Sequence, residues 1–236
     1  MLYLVGLGIS DEKGITLKGL ELAKQYDCYI ETYTSKWNGD IRNLERLVDK
    51  PVIQLNRSDL EENQNVFLEK CKKNHIVLFI LGDPLAATTH TDIILEAKKQ
   101  GIRTEIVHNT SIFSAVGEVG LQLYKYGRTA TIPYSGKLES VKDAIIGNKK
   151  LGLHTLLLLD LDAEMNIYMP TKNALKLLLD NKLVTKSTKM IAGKIGDDIF
   201  YGPVSELIEK DIETPSILIL PGKLHFKEKE FLETLI

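Results

Sequence analysis

Ile76-Val77-Leu78-Phe79-Ile80-Leu81-Gly82-Asp83-Pro84-Leu85-Ala86-Ala87-Thr88-Thr89-His90 is an unbroken apolar run that stops at Gly-Asp-Pro and passes into small residues. An apolar stretch with no polar alternation is expected of a strand buried on both faces, as in a parallel sheet. Glycine tolerates positive φ and proline lacks a backbone donor, so Gly82 and Pro84 end the strand. The period then becomes helical over Thr89–Gln100, with Gly101 placed as a C′ residue. Working outward, Leu2–Leu7, Cys28–Tyr33, Val52–Leu55 and Thr104–His108 read as further strands. Between them Thr16–Gln25, Ile41–Val48 and Asp59–Lys73 read as helices. Strands and helices in this alternation predict an α/β fold, a mostly parallel sheet with helices on both faces.

The second half has a different texture. Ser111–Tyr124 reads as a helix, followed by strands at Arg128–Ile132, His154–Leu161, Thr188–Ile195 and Ser216–Leu220. Helices are expected at Lys137–Ile146, Thr171–Leu179, Val204–Glu209 and from Lys227. Asp198–Tyr201 is expected to hairpin onto the preceding strand through Gly196-Asp197, which suggests a mixed sheet. A chain of 236 residues accommodates two domains of roughly 110 residues each. The boundary is expected near Asn109–Ser111, giving domains 1–109 and 110–236.

Composition narrows the function class. The chain is 44% hydrophobic and 26% charged, ordinary for a globular protein and too apolar for disorder. Its 30 Lys and Arg nearly balance 32 Asp and Glu, so no strongly basic face is forced and nucleic-acid binding is not expected. Met1-Leu2-Tyr3-Leu4-Val5-Gly6 reads as a strand without a basic flank, and no apolar run is long enough to span a bilayer. A soluble, cytoplasmic protein with no membrane partner is therefore expected. The two cysteines, Cys28 and Cys71, read as buried free thiols.

Four segments have the composition of ligand loops. Val5-Gly6-Leu7-Gly8-Ile9-Ser10 runs from a strand into a glycine loop, yet lacks the third glycine of a dinucleotide fingerprint. It is either a ligand loop or a plain strand-to-helix turn. Gly82–His90 leaves a strand at its carboxyl end, where ligands of open α/β sheets bind. Asp83 there is able to accept hydrogen bonds from a ligand or simply to form the turn, and Thr88 or Thr89 to cap the helix. Ser111 is placed to cap the next helix, and Ala115, Gly117 and Gly120 would let a neighbour pack closely. Leu220-Pro221-Gly222-Lys223-Leu224-His225-Phe226 ends a strand in a turn, where His225 is a ligand contact or a surface side chain. The five histidines show no metal-ligand spacing, and neither a P-loop nor a nucleophile elbow is present.

Together and in this order, these segments resemble the diphthine synthase family, within the tetrapyrrole-methylase-like fold of S-adenosylmethionine-dependent methyltransferases. The resemblance rests on Gly6-Leu7-Gly8 with Asp11-Glu12, Ile15 to Glu21, Glu31-Thr32-Tyr33-Thr34-Ser35 and Gly82 to His90. It continues through Ser111 to Gly117, Leu123 to Gly127, Gly152 to Leu157 and Pro221 to His225, nearly the whole chain. Gly8 is followed by Ile9-Ser10, where tetrapyrrole methylases usually carry Gly-Pro-Gly-Asp, which favours a protein substrate over a corrin or porphyrin. Ile132–Gly136 and Gly196–Gly202 are shorter than the corresponding loops of the family.

The resemblance implies two α/β domains with S-adenosyl-L-methionine bound between them and S-adenosyl-L-homocysteine as product. Its contacts would fall at Ile9, Asp83, Ala86, Ser111, Ile112, Leu159, Ile195 and His225, several through backbone groups. It also implies a homodimer acting on translation elongation factor 2 in diphthamide biosynthesis. There the amino group of 2-(3-amino-3-carboxypropyl)-histidine would be methylated, in archaeal-type members three times. No catalytic base and no metal are expected. Lys125, Lys137 and Lys223 read as solvated lysines or as steering charges for an acidic partner. A small-molecule methyltransferase of the same fold and a non-catalytic cofactor-binding module are the competing readings.

Overall fold

The structure, a computed structural model, describes residues 1–235 and divides into two compact units. The first comprises Met1–Phe113 with Ala163–Met165, and the second Ser114–Asp162 with Asn166–Ile236.

In the first unit, β1 (Leu2–Gly6), β2 (Asp27–Glu31), β3 (Val52–Leu55), β4 (Ile76–Ile80) and β5 (Thr104–Val107) form one sheet. Its order is β3-β2-β4-β1-β5, and every neighbouring pair is parallel. Four helices connect the strands: α1 (Leu17–Gln25), α2 (Ile41–Val48), α3 (Gln64–Lys73) and α4 (Thr91–Lys99). Strand side chains alternate between the two faces. Tyr3, Val5, Val77 and Phe79 pack with Ala23 of α1 and with Leu44 and Val48 of α2. Leu2, Leu4, Ile76, Leu78 and Ile80 pack instead with Leu68 of α3 and Ile93 and Ala97 of α4. All five residues of β4 are fully buried, which accounts for its unbroken apolar run. At about 25 cal/mol per Å², a fully buried Leu, Ile or Phe contributes roughly 1.5 to 3 kcal/mol.

Local chemistry sets the helix ends. The Thr16 hydroxyl accepts the Gly19 N–H and starts α1, and Asp40 accepts the Arg42 N–H and starts α2. Gly101 in the left-handed region ends α4. Two expectations are corrected. The helix expected over Asp59–Lys73 is a π turn at Ser58–Glu62 followed by α3. Neither Thr88 nor Thr89 caps α4: the Thr88 hydroxyl donates to the Pro84 carbonyl, the Thr89 hydroxyl to Glu61, and His90 holds the cap position without a side-chain cap bond.

The chain passes from the first unit to the second within α5 (Ile112–Ala115), and the second unit contains a mixed sheet of order β11-β10-β12-β7-β6. Its strands are β6 (Ala130–Ile132), β7 (Thr155–Leu159), β10 (Lys189–Gly193), β11 (Ile199–Pro203) and β12 (Ile217–Leu220). β6 and β7 are parallel and the other pairs antiparallel. A two-stranded ribbon, β8 (Leu161–Asp162) with β9 (Ile167–Tyr168), lies between β7 and the following helix. Helices α6 (Glu139–Leu151), α7 (Thr171–Asp180) and α8 (Val204–Leu207) contribute Val141, Leu175, Leu178 and Leu207 to one core with Leu157, Met190 and Leu218. The last helix, α9, covers Phe226–Leu232.

The long helix expected at Ser111–Tyr124 is broken. It comprises α5, a 3₁₀ turn at Val116–Val119, left-handed Gly120 and a second 3₁₀ turn at Leu123–Lys125. Gly120 accounts for the break. It has φ of +80°, and a Cβ there would lie 2.0 Å from Cδ1 of Phe231. The close neighbour allowed by the small residues is thus the aromatic ring of α9. The strand expected to reach Leu161 ends at Leu159, because Asp160 turns the chain: its carboxylate accepts the Tyr134 and Leu161 N–H groups.

Candidate active site

The connection leaving β1 packs on the α1–α2 face and that leaving β4 on the α3–α4 face, although β1 and β4 are neighbours. Their carboxyl ends therefore mark the switch point of the sheet, where open α/β folds bind ligands. There the two loops are joined backbone to backbone. Gly8 N–H donates to the Gly82 carbonyl at 3.1 Å, and Gly82 N–H to the Gly8 carbonyl at 2.9 Å. Both glycines are left-handed, with φ of +75° and +74°. At Gly82 a Cβ would have only the Thr110 carbonyl within reach, at 4.0 Å, so this backbone is open to close approach. At Gly6 the space is filled: a Cβ would lie 2.6 Å from the Gly82 carbonyl oxygen and 2.8 Å from Asn109 Cβ.

Asp83 is buried and organises the loop. Its Oδ1 accepts the Leu85 N–H at 3.0 Å, while Oδ2 accepts from His108 Nδ1 at 2.8 Å and from the Asn109 N–H at 3.1 Å. Burial pushes the carboxyl up, but these donors outweigh it and hold it below the usual carboxylate range. A carboxylate has about four lone-pair positions, so Oδ1 retains one for a further donor. Asn109, which the sequence did not single out, is the latch beneath: its Nδ2 donates to the carbonyls of Gly6 (2.8 Å) and Gly14 (2.9 Å). Glu31, which the sequence offered only as part of the family resemblance, is a second buried carboxylate. It accepts from the Thr34 hydroxyl at 2.7 Å and the Leu81 N–H at 3.2 Å, and burial raises its pKa. A lone Asn after a strand and a Glu at a strand end carry no periodic signal, so only their contacts reveal them.

In the first unit the fold brings Asp83 and Ala86 onto one loop joined through Gly82 to the loop carrying Ile9, which is 39% exposed. Ser111 is buried and Ile112, beginning α5, is half-buried; both follow the Asn109 latch in sequence. In the second unit Leu159 ends β7, Ile195 lies in the β10–β11 turn, and exposed His225 is the N-cap of α9. Ile195 and Leu159 are half-buried.

His225 is held by a group the sequence did not point to. Buried Glu228 accepts the His225 N–H at 2.7 Å, the Gln122 N–H at 2.9 Å, His154 Nε2 at 3.1 Å and the Lys125 ammonium. Burial pushes Glu228 up, but its donors outweigh that and bring its pKa down to about 2. His154, fully buried, accepts the Gly222 N–H on Nδ1 at 2.9 Å, so the network assigns its proton to Nε2. Burial keeps it neutral, with its pKa lowered despite Glu228. Lys125 also donates to the Lys223 carbonyl at 2.7 Å, so it is a structural tie and not a steering charge. Among the described residues no group of three or more His, Cys, Asp or Glu is arranged to hold a metal ion, and no helix is long and apolar enough to cross a membrane.

Residues 1–160, which carry this switch-point loop, match the family described as Tetrapyrrole (Corrin/Porphyrin) Methylases. Diphthine synthase from Methanococcus vannielii is 39% identical over 251 aligned positions, covering 100% of this chain and 98% of that protein. Diphthine synthase from Methanocaldococcus jannaschii is 38% identical over 253, with the same coverage. A crystal structure of diphthine synthase superposes with a TM-score of 0.92 at 35% identity, covering 99% of this chain and 95% of that one. The chain belongs to the diphthine synthase family of the tetrapyrrole methylases, and is an S-adenosylmethionine-dependent methyltransferase.

Proposed function

We propose that this enzyme methylates the amino group of 2-(3-amino-3-carboxypropyl)-histidine on translation elongation factor 2, adding three methyl groups in diphthamide biosynthesis. Full-length kinship to diphthine synthases supports this reading. The structural observation that carries it is the left-handed glycine pair at the switch point, with open backbone at Gly82 beside an ionised Asp83. These groups fit a cofactor rich in hydrogen-bond donors.

When bound, S-adenosylmethionine supplies a methyl group already activated by its sulfonium. Asp83 would accept a donor on its remaining lone pair, while Ile9, Ala86, Ser111 and Ile112 would bind through backbone and apolar contact. Leu159, Ile195 and His225 complete the proposed set. The protein's task is alignment and exclusion of water. The acceptor amine must be neutral to attack. An α-amino group titrates at roughly 8, and burial lowers that value, so we assign no catalytic base. We further propose that the protein works in the cytoplasm as a homodimer, with exposed Leu123, Tyr124, Leu151 and Phe226 of the second unit available to an interface.

The deciding experiment supplies methyl-labelled S-adenosylmethionine with elongation factor 2 carrying the aminocarboxypropyl histidine, and in parallel with a tetrapyrrole. Label on the protein, as three methyl groups on one residue by peptide mass spectrometry, is expected. Label on the tetrapyrrole alone would mean a small-molecule methyltransferase, and cofactor binding without turnover a binding module. Sedimentation velocity checks the dimer.

A further inference from the structure

β2 closes on an acid in the middle of the fold: Asp27-Cys28-Tyr29-Ile30-Glu31, with Glu31 fully buried. Its Oε1 accepts the Thr34 hydroxyl at 2.7 Å and the Leu81 N–H at 3.2 Å, and its Oε2 accepts the Thr34 N–H at 3.2 Å. All three donors are neutral. They account for an acceptor at this place, since they tie the turn after β2 to the end of β4. They do not account for a full charge, because a buried carboxylate is ordinarily paired with a cation or a metal. Here burial raises the carboxyl's pKa and only hydrogen bonds oppose it; no cation does. Arg57 stands over the neighbouring Tyr33 ring, 5.3 Å from its centroid. That ring reports the local field: burial raises its pKa first, and Glu31, Glu61 and Glu164 raise it further against Arg57. Acids outweigh the one base.

The place of this charge in the fold gives it a use. Leu81, whose N–H Glu31 holds, is the residue before Gly82, and Asp83 is the residue after it. Gly82 is the left-handed glycine whose backbone is open to close approach. Asp83 is held in its ionised form by the Leu85 N–H, His108 and the Asn109 N–H. The open glycine thus has a carboxyl on either side of it along the chain, and Glu31 is the one without a cationic partner. In a poorly screened interior, at an effective dielectric of roughly 20, a charge one peptide unit and one hydrogen bond away changes affinity about tenfold. S-adenosylmethionine and S-adenosylhomocysteine share every hydrogen-bonding group. They differ by one methyl and by the positive charge on sulfur that goes with it.

We propose that Glu31 is the charge-selecting residue of the cofactor site: buried beside Gly82, it favours the sulfonium cofactor over the product with neutral sulfur. This rests on the reading that the cofactor binds at the switch point of the first sheet. A residue that merely holds the loop would serve both ligands alike, so the ratio of the two affinities isolates the charge.

The test is calorimetric titration of the full-length native protein, Glu31→Gln and Glu31→Asp, without acceptor protein. The ligands are S-adenosylmethionine, S-adenosylhomocysteine and sinefungin, an unreactive analogue in which a carbon bearing an ammonium replaces the methylated sulfur. In Glu31→Gln the two cationic ligands should weaken about tenfold more than S-adenosylhomocysteine. Glu31→Asp keeps the charge and should restore the native ratio, whatever it costs in absolute affinity. Equal weakening of all three ligands in Glu31→Gln would make Glu31 a structural acceptor only, overturning the proposal with cofactor binding intact. Failure of the native protein to bind any of the three would overturn the switch-point reading and the proposal with it. Should Glu31→Gln not fold, the native protein labelled with ¹³C-glutamate decides. S-adenosylmethionine and sinefungin should lower the pH at which the Glu31 carboxyl carbon titrates, relative to S-adenosylhomocysteine. One midpoint common to all three ligands would overturn the proposal.

Discussion

Asp83 accepts three N–H donors drawn from three different residues, so its carboxylate serves the loop before it serves any ligand. Asp83→Ala is expected to leave Leu85, His108 and Asn109 unsatisfied and to destabilise the first unit by about 1 to 3 kcal/mol. The same variant should lose at least tenfold in affinity for S-adenosylhomocysteine; calorimetry on folded protein at low temperature separates the two effects, and unchanged affinity would remove Asp83 from the binding set. His90 gives a pH signature. Its imidazole stays neutral in the folded protein down to about 4, whereas an unfolded histidine takes its proton near 6.5. Between those values the unfolded state binds more protons. His90's contribution is therefore complete above 6.5 and is lost as pH falls towards 4, by up to about 3 kcal/mol. His154, also lowered by burial, adds to the same trend. Melting temperatures across this window should fall with acid in the native sequence and less steeply in His90→Leu; equal slopes would show that the fall originates elsewhere.

At the scale of elements, α9 is fastened twice. Phe231 fills the space above Gly120, and Glu228 reaches back to Gln122, Lys125 and His154 while holding the His225 amide. Gly120→Ala places a methyl against the Phe231 ring and an L-residue in the left-handed region. The expected cost is about 2 to 4 kcal/mol, read as a lowered midpoint in denaturant. Phe231→Ala in that background should recover the steric part and not the backbone part. The Tyr201 amide, which donates to the Leu235 carbonyl at 2.9 Å, should exchange faster in Gly120→Ala if α9 has loosened. The same region shows the limit of periodicity: Ser111–Tyr124 has helical composition, but left-handed Gly120 lets the chain turn to meet α9, which is distant in sequence.

At the scale of the whole molecule, ligand and stability are linked. S-adenosylhomocysteine at a hundred times its dissociation constant should stabilise the native protein by about 2.7 kcal/mol. At roughly 2 to 4 °C per kcal/mol for a chain of this size, that is a midpoint shift of roughly 5 to 11 °C by scanning fluorimetry. Absence of any shift at saturating ligand would contradict the methyltransferase assignment. Variants in the first unit (Asp83→Ala) and in the second (His225→Ala) should each reduce the shift if both groups of proposed contacts bind one cofactor.

The strands and helices of the first unit were legible because each encodes its environment locally. β4 is apolar throughout since both its faces are covered, α2 begins at an aspartate cap, and α4 stops at a left-handed glycine. The turns at Gly8 and at Gly82-Asp83-Pro84 were legible for the same reason, since glycine and proline act on their own backbone. The strand order, the join of Gly8 to Gly82, the Asn109 latch, the Glu228 hub and the unpaired His90 were decided by the tertiary structure alone. Each depends on residues far apart in the chain. A side chain's hydrogen-bond partners, and hence its charge state, are fixed by which distant groups the packing brings to it.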